Sequence, residues 1–492
     1  MKDATDSVIL KVKALYSTPL YCANPQFERG WVRRTDFAVG LFVKTVMISR
    51  MTPSALNNAD LLARSLSAVW HPCSQMKHYE SFPLLPIARG KGVWLYDYDG
   101  GRYLDAVSSW WVNLFGHSDP RINAALREQL DTLEHVMLAG FTHEPVVQLS
   151  ERLRALAPPG LGHCSYGSDG ASAVEIALKM SAHYWRNTGC PHKTQFISLQ
   201  NSYHGETLGA LSVTDVALFR DAYGPLIRPQ ATVPSPDSRN AWPGETAEAF
   251  ALRCAADLER HLQRHHSQLA AFIIEPLVQG AAGMAMSHPI YLRCARELCQ
   301  QYQVHLIADE IAVGMGRTGT MFACEQAGIT PDFLCLSKGI TGGYLPLSVV
   351  MTTDEIYDGF YFDETARGFL HSHSYTGNPL ACRAALATLD IFVQDDVMAR
   401  NRQRAAYLNT IALPLRGHRA VKNWRNTGMI WAFEVDSPHQ DFAQRCFALA
   451  LQNELLLRPI GKTIYFMPPY VISESEMDHL VRGALHLVEQ LS

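Results

Sequence analysis

Short apolar runs that alternate with amphipathic segments are the feature that most constrains how this chain can fold. Five runs after residue 160 have the length and apolar content of buried strands: QFISL (195–199), AAFIIEP (270–276), VHLIADE (304–310), FLCLSK (333–338) and LSVVMTT (347–353). Residues 171–187 and 291–302 have helical spacing instead. Because strands separated by helices need crossover connections, the pattern predicts an α/β fold with a mainly parallel sheet.

Two charged residues stand where predicted strands end, and functional residues gather at that edge of such sheets. Lys338 follows FLCLS, and lysine is rarely buried without a partner. It either extends to water or is kept partly desolvated as a nucleophile that forms a Schiff base. Asp309 is either a turn or capping acid, or a carboxylate that keeps a ring nitrogen protonated. The pair together favours pyridoxal phosphate chemistry.

Two further segments are consistent with a phosphorylated, flat cofactor. GSDGASAVE (167–175) places glycines and small residues before a helix that starts near Ala171, and helix N-termini attract anions. NSYHGET (201–207) follows a predicted strand and offers Tyr203 as a stacking aromatic. Each segment also has an ordinary structural interpretation, as a helix cap or a core tyrosine, so they count only with Lys338 and Asp309.

Composition excludes several classes of protein. The net charge is −4 without long runs of one sign, which argues against a nucleic-acid partner. The eleven cysteines are scattered without metal-site spacing, so we expect reduced thiols, no metal and a cytoplasmic location. The apolar stretch within residues 29–48 is too short and too charged to span a bilayer. Residues 1–50 lack regular patterning, so we expect a dispensable extension, with Met51 a plausible start.

At this point the motifs resemble a known family. GSDGASAVE, NSYHGET, FIIEPLVQGAAGM, LIADEIAVGMGRTG, LSKGITGG and HSHSYTGNPLAC follow the order found in the class III pyridoxal phosphate aminotransferases, from about residue 65 to the C-terminus. The resemblance implies the type I pyridoxal phosphate-dependent transferase fold. It divides the chain into an extension (1–58), a large cofactor-binding domain (110–380) and a smaller α+β domain built from residues 60–109 and 381–492.

The resemblance also implies roles in cofactor binding. Lys338 would hold the cofactor as a Schiff base and move the proton, Asp309 would hold the pyridine nitrogen, and Tyr203 would lie against the ring. The other cofactor contacts that it implies are Gly170, Ala171, His373 and Ser374. Ser374 would reach the phosphate bound by a second subunit, so a homodimer with shared active sites is expected.

Substrate contacts follow from the same resemblance. Arg458 would take a substrate carboxylate, a task suited to a planar bidentate donor. The other expected substrate contacts, besides Tyr203 and Lys338, are Trp110, Ser372, Cys73, Glu206 and Arg317. Two residues depart from the family pattern: Ala171 replaces a usual Ser or Thr, and Cys73 replaces a tyrosine found in some relatives. Ser168 or Ser172 would have to supply the lost phosphate contact.

Three flanking motifs narrow the expected reaction. WHPCSQM (70–76), SSWWVNLFGH (108–117) and LLLRPIGKTIYFMPPY (455–470) resemble family members that act in biotin synthesis. They imply a ping-pong transamination of 8-amino-7-oxononanoate to 7,8-diaminononanoate, with S-adenosylmethionine as the amino donor. Two alternatives are another class III transaminase acting on an ω-amino acid, and an aminomutase that moves nitrogen within one molecule.

Overall fold

A central sheet of seven strands carries the predicted strand ends. The computed structural model describes residues 56–82 and 84–492, so the extension predicted for residues 1–58 lies almost entirely outside the described residues. The strands are β1 Ile87–Lys91, β2 Trp94–Asp97, β3 Arg102–Asp105, β4 Leu161–Gly167, β5 Gln195–Leu199, β6 Ala231–Val233, β7 Leu269–Ile274, β8 Val278–Gln279, β9 Ala285–Met286, β10 His305–Asp309, β11 Phe333–Leu336, β12 Ser348–Thr353, β13 Val421–Thr427, β14 Ile430–Val435, β15 Leu455–Leu456 and β16 Thr463–Phe466.

Helices separate most of these strands in the chain. They are α1 Asn58–Ala68, α2 Pro120–Leu130, α3 Glu144–Leu156, α4 Gly170–Asn187, α5 Leu208–Val213, α6 Ala217–Arg220, α7 Ala247–His265, α8 Pro289–Gln301, α9 Asp354–Asp358, α10 Pro379–Gln394, α11 Val397–Ile411, α12 Leu413–Arg416, α13 Phe442–Gln452 and α14 Glu474–Leu491. Short 3-10 helices occupy Met76–Glu80, Asp221–Leu226, Ser238–Asn240, Ala323–Ala327, Lys338–Thr341 and Thr365–Arg367. All five strands and both helices that the sequence pattern predicts are confirmed.

The large sheet is mainly parallel, as predicted. Its strand order is β4-β12-β11-β10-β7-β5-β6, and β11, β10, β7, β5 and β6 pair in parallel. The exception is β12, which runs antiparallel to both β11 and β4. The connection from β11 to β12 holds only a 3-10 helix at Lys338–Thr341 and a short turn, so it lacks the crossover helix that a parallel return requires.

Helices cover both faces of this sheet, because its strands are apolar on both sides. Alternate residues of β11 divide between the faces: Phe333 and Cys335 pack in the cluster that contains α4, while Leu334 and Leu336 pack in the cluster that contains α7 and α8. The buried face of α4 is formed by residues with helical spacing, among them Val174 and Ala177. Burial on both faces holds the strand ends in fixed positions.

Smaller sheets lie beside the large one. Strands β1, β2, β3 and β15 form a four-stranded sheet, in which the hairpin of β2 and β3 around Gly100 pairs with the distant Leu455–Leu456. Strands β13, β14 and β16 form a third sheet, and β8 pairs with β9. Residues 56–492 form one compact unit, and the division at residues 109 and 380 stays a prediction. No helix among the described residues is both long and apolar enough to cross a membrane.

Candidate active site

Lys338 and Asp309 come together because they follow neighbouring parallel strands. Asp309 is the last residue of β10 and pairs in register with Cys335 of β11, and Lys338 begins the 3-10 helix that follows β11. Carboxyl ends of parallel strands meet at one edge of a sheet, which is where functional groups converge in such folds. The two residues that the sequence singled out therefore share one site.

The surroundings of Lys338 favour its neutral amine. Burial lowers the pKa of Lys338 to about 8, and the negative charges of Asp309 and Glu275 oppose that effect. The Nζ atom lies 4.4 Å from the ring centroid of Trp111. The backbone of Lys338 has a φ of 46°, in the left-handed region that side-chain-bearing residues rarely adopt. An amine with this pKa is largely neutral above pH 8 and can act as a nucleophile.

Asp309 is a buried carboxylate held by two donors. Its Oδ2 lies 2.7 Å from Nδ1 of His204, and its Oδ1 accepts the backbone N–H of Ile311 at 3.1 Å. A carboxylate only accepts, so the imidazole donates through Nδ1. Nε2 of His204 is buried and has no hydrogen-bond partner among the described residues. The sequence analysis missed His204, although it stands beside Tyr203 in NSYHGET.

Glu275 is a second functional candidate that the sequence analysis missed. It directly follows β7 and accepts the backbone N–H groups of Tyr203 and Gly280, each at 3.0 Å. Burial raises the pKa of Glu275 to about 7, with Asp309 adding to that effect and His204 opposing it. The available signal was its position: FIIEP ends a buried strand in an acid, as LIAD does. Glu275 therefore holds the backbone of the segment that carries Tyr203 in place.

The N-terminus of α4 forms the predicted anion site. Oδ1 of Asp169 accepts the N–H of Ser172 at 2.9 Å and caps the helix. The hydroxyls of Ser168 and Ser172 donate to the other oxygen of Asp169, at 3.4 and 3.1 Å. Neither hydroxyl is therefore a ready replacement for the one that Ala171 lacks. The N–H groups of Gly170 and Ala171 have no partner outside their own helix among the described residues.

The loop with Tyr203 packs directly on this helix end. Gly205 has a φ of 121°, and a Cβ placed on it would lie 2.6 Å from Cβ of Ala171, so the close approach requires glycine here. The Tyr203 hydroxyl donates to Oε1 of Glu206 at 2.9 Å, and Sγ of Cys73 lies 3.8 Å from the same oxygen. Burial, followed by the charge of Glu206, raises the pKa of Tyr203. Three predicted site residues thus form one polar cluster.

Arg458 and Trp110 form a second predicted pair. The Cζ atom of Arg458 lies 4.7 Å from the ring centroid of Trp110, whose side chain is 44% exposed. Burial and then Glu206 raise the pKa of Cys73, and the charge of Arg458 opposes them, so Arg458 lies near the polar cluster of Cys73, Tyr203 and Glu206. Within residues 56–82 and 84–492, no carboxylate forms a salt bridge with Arg458. Its guanidinium is available to an anion.

The remaining predicted residues are placed differently. Arg317 is fully buried and donates to the carbonyl oxygens of Pro468 and Asn113, at 2.8 and 2.9 Å. These bonds tie three segments together, and its predicted substrate role stays a prediction. Ser372 and Ser374 are exposed, while Nε2 of His373 is buried without a partner among the described residues. The contact of Ser374 with the phosphate of a second subunit, and the contacts of Ser372 and His373, stay predictions.

The fold and the site together define an α/β enzyme whose lysine and acid lie at adjacent strand ends. The sequence profile of the family "Aminotransferase class-III" matches residues 75–487, so the chain belongs to the class III aminotransferases. An adenosylmethionine-8-amino-7-oxononanoate aminotransferase of Helicobacter pylori is 47% identical over 440 residues, which are 88% of this chain and 98% of that protein.

Solved structures agree with this assignment. The adenosylmethionine-8-amino-7-oxononanoate aminotransferase of Methanocaldococcus jannaschii aligns with a TM-score of 0.82 at 34% identity, over 88% of this chain and 99% of that one. An (S)-enantioselective omega-transaminase from Thermomicrobium roseum aligns with a TM-score of 0.84 at 32% identity, over 88% of this chain and 99% of that one. Structural similarity alone does not separate these two activities.

The residues present fit pyridoxal phosphate, the cofactor of this family. Lys338 offers an amine with a pKa of about 8, which suits capture of an aldehyde. Asp309 offers a buried carboxylate for the pyridine nitrogen, and the N-terminus of α4 offers N–H groups for the phosphate. We found no cluster of metal-ligating side chains among the described residues.

Proposed function

We propose that this enzyme transfers an amino group from S-adenosylmethionine to 8-amino-7-oxononanoate, forming 7,8-diaminononanoate for biotin synthesis. The observation that carries the proposal is its 47% identity, over nearly the full length, to a relative named for this reaction. Relatives from Geobacter sulfurreducens and other organisms carry the same name. Another class III transaminase acting on an ω-amino acid remains the rival, since a solved structure named as an omega-transaminase aligns equally well.

The roles of the central residues follow from their positions. Bound pyridoxal phosphate supplies an electron sink and carries nitrogen between the two substrates. Lys338 would bind the cofactor through Nζ, and its free amine would hold and move the proton at the reacting carbon. Asp309 would keep the pyridine nitrogen protonated, and His204 orients the Asp309 side chain through the 2.7 Å contact. Tyr203 would lie against the ring of the cofactor, and Glu275 holds the backbone N–H of Tyr203 in place.

The phosphate and the second subunit complete the proposed site. The backbone N–H groups of Gly170 and Ala171 bind the phosphate at the positive end of the α4 dipole. His373 and Ser374 reach the phosphate of a second copy, so the active unit is a homodimer. The exposure of Ser374 in the single chain is compatible with that role. We place the enzyme in the cytoplasm as part of the same proposal.

Arg458 is the proposed site for the carboxylate of 8-amino-7-oxononanoate. It has no salt-bridge partner in the described part of the chain and stacks on Trp110, whose exposed ring lines the entrance. A guanidinium presents two parallel N–H donors on one edge, which match a carboxylate. Cys73 and Glu206 lie beside it and shape the same entrance.

The two half-reactions test this assignment. Arg458→Ala should raise the KM for 8-amino-7-oxononanoate by about 10- to 100-fold, because a charge-assisted hydrogen bond is lost. The first half-reaction with S-adenosylmethionine should be spared. Arg445→Ala is the matched control, since Arg445 is exposed and pairs with Asp441, the residue directly before its own helix α13. Equal losses in both half-reactions would support a structural role for Arg458 instead.

The donor and the reaction type are tested by spectroscopy and product analysis. Mixing the enzyme with S-adenosylmethionine alone should convert the visible band of the bound cofactor to that of its amine form. Conversion by lysine and not by S-adenosylmethionine would change the donor and leave the acceptor unaffected. An ω-amino acid transaminase would respond to 4-aminobutyrate or ornithine. An aminomutase would release no keto product from the donor.

A further inference from the structure

The segment Ser108–Trp111 has an unusual backbone. Four consecutive residues have positive φ angles, of 50°, 46°, 71° and 74°, and none of them is glycine. They form a left-handed turn, which is costly for L-amino acids because Cβ approaches the following carbonyl oxygen. Such strain persists only where surrounding contacts hold it, and it concentrates at functional sites.

Specific contacts hold this turn in place. The Ser108 hydroxyl donates to the carbonyl oxygen of Met467 at 2.7 Å. The backbone N–H and the hydroxyl of Ser109 donate to the two oxygens of Asp105, at 2.9 and 2.7 Å. Asp105 is itself fully buried and lies 3.0 Å from Nε2 of His117. The turn is therefore fixed by the side chain of Asp105, which His117 contacts, and by the backbone carbonyl of the distant Met467.

The turn places two adjacent tryptophans against two different basic side chains. Trp110 is exposed and lies under the guanidinium of Arg458, whereas Trp111 is buried and lies under Nζ of Lys338. The Trp111 ring is held from both ends. Its Nε1 donates to the Tyr465 hydroxyl at 3.1 Å, and Gly280 packs against it so closely that an added Cβ would lie 2.7 Å from the ring.

We infer that Trp111 is a positioning residue for the Lys338 amine: its ring face holds Nζ in place whenever Lys338 is not bonded to the cofactor. This inference rests on the proposed role of Lys338 as the cofactor-binding lysine. The electron-rich face of an indole attracts an ammonium, and the attraction is strongest where water is excluded. The 4.4 Å separation lies well within the range of that interaction.

Trp111 acts together with the charged groups around Lys338. Asp309 and Glu275 favour the ammonium form, as the ring does, whereas burial disfavours it. His204 lies in hydrogen-bond contact with Asp309, and Arg458 lies over the neighbouring Trp110 ring. Removing the aromatic face should therefore lower the pKa of Lys338 further and also leave Nζ less well placed for reaction.

Capture of the cofactor by the apo-protein tests the inference. The rate at which the visible band appears depends on the fraction of neutral Lys338 amine, so its pH profile reports the pKa. In Trp111→Leu the midpoint should fall by roughly half a unit to one unit, and the plateau rate should also fall. Trp111→Phe keeps an aromatic face and should retain most of the original midpoint.

Two further variants separate positioning from general damage. Gly280→Ala leaves the indole intact but forces the ring to move, so it should shift the midpoint in the same direction as Trp111→Leu. It provides the test if Trp111→Leu does not fold. Trp185→Leu is the matched control, because Nζ of Lys193 also lies 4.4 Å from the Trp185 ring, at the far end of α4. That variant should leave the midpoint unchanged.

The possible outcomes are distinct. Borohydride followed by peptide mass analysis should identify Lys338 as the fixed residue in every variant that folds. Fixation at another lysine would refute the role of Lys338 on which the inference rests. Fixation at Lys338 with unchanged midpoints in Trp111→Leu and Gly280→Ala would overturn the inference alone.

Discussion

At the scale of single residues, burial and nearby negative charges have opposite effects on the pKa of Lys338. Burial lowers the pKa of Lys338 to about 8, and Asp309 and Glu275 keep it from falling further. An ordinary lysine has a pKa of about 10.4, so at pH 7 the neutral amine of Lys338 is roughly a few hundred times more abundant. The amine becomes more reactive as the pH rises towards 8 and gains little above it. The pKa of Lys338 therefore lies close to physiological pH.

The first residue-scale prediction concerns Asp309. Asp309→Asn should fold but lose kcat by several orders of magnitude, because a neutral amide does not hold a pyridine nitrogen protonated. Steady-state kinetics and the absorbance of the bound cofactor provide the measurement. Asp441→Asn is the control, since Asp441 forms only an exposed pair with Arg445, a type that contributes little. Near-normal kcat in Asp309→Asn would refute the assigned role.

His204 shows which residues sequence reasoning could not find. Lys338 and Asp309 were visible because each is a charged residue at the end of an apolar run. His204 lies 2.7 Å from Asp309, and Glu275 lies 3.0 Å from the backbone nitrogen of Tyr203. In both cases the partner is distant in the chain. A pattern in one sequence carries no record of such contacts. Their strand-end and loop positions were the only signals.

At the scale of secondary-structure elements, the N-terminus of α4 is the proposed anion site. Its cap, Asp169, brings a carboxylate close to the place where a phosphate is expected to bind, and the hydroxyls of Ser168 and Ser172 donate to that carboxylate. The site then depends on backbone N–H groups and the helix dipole. Ala171 adds no donor of its own, where the family resemblance predicts a Ser or Thr.

This difference gives an element-scale prediction. Ala171→Ser should tighten cofactor binding by about tenfold or more, because one hydrogen bond to a charged group is gained. Equilibrium titration of the apo-protein with pyridoxal phosphate measures it. Ala217→Ser, at an exposed position that begins the short helix α6, controls for the substitution itself. Unchanged or weaker binding in Ala171→Ser would mean that the backbone donors already satisfy the phosphate.

The elements themselves were largely predictable, for a physical reason. A strand that is buried on both faces must be apolar throughout, so β7, β10 and β11 stand out in the sequence. The direction of β12 was not predictable from its own residues, because apolar content is the same for both directions. The left-handed turn at Ser108–Trp111 was also missed, since serine and tryptophan give no sign of positive φ.

At the scale of the whole molecule, one compact unit contains all the active-site residues that a single subunit is proposed to supply. Residues 56–492 form this unit, and the family profile matches residues 75–487 within it. The short strand Leu455–Leu456 pairs with β3 and so brings Arg458 near the turn that carries Trp110. Segments from both ends of the chain are therefore needed to build the entrance to the site.

Residues 1–50 provide the prediction at this scale. They lie outside the family match, and their sequence lacks the patterning of a packed domain. Deleting them should leave the thermal midpoint, the dimer and kcat unchanged, as measured by calorimetry, sedimentation and steady-state kinetics. Insolubility or loss of the dimer in the truncated protein would show that this segment packs on the rest of the molecule.

The measurement that tests the central claim most directly is product analysis by mass spectrometry. The enzyme loaded with pyridoxal phosphate is given S-adenosylmethionine and 8-amino-7-oxononanoate, with Lys338→Ala as the parallel sample. We predict multiple-turnover formation of 7,8-diaminononanoate by the unaltered enzyme and none above background by the variant. Failure to form this product, with turnover of an ω-amino acid instead, would contradict the proposed reaction, and undiminished turnover by Lys338→Ala would contradict the assigned site.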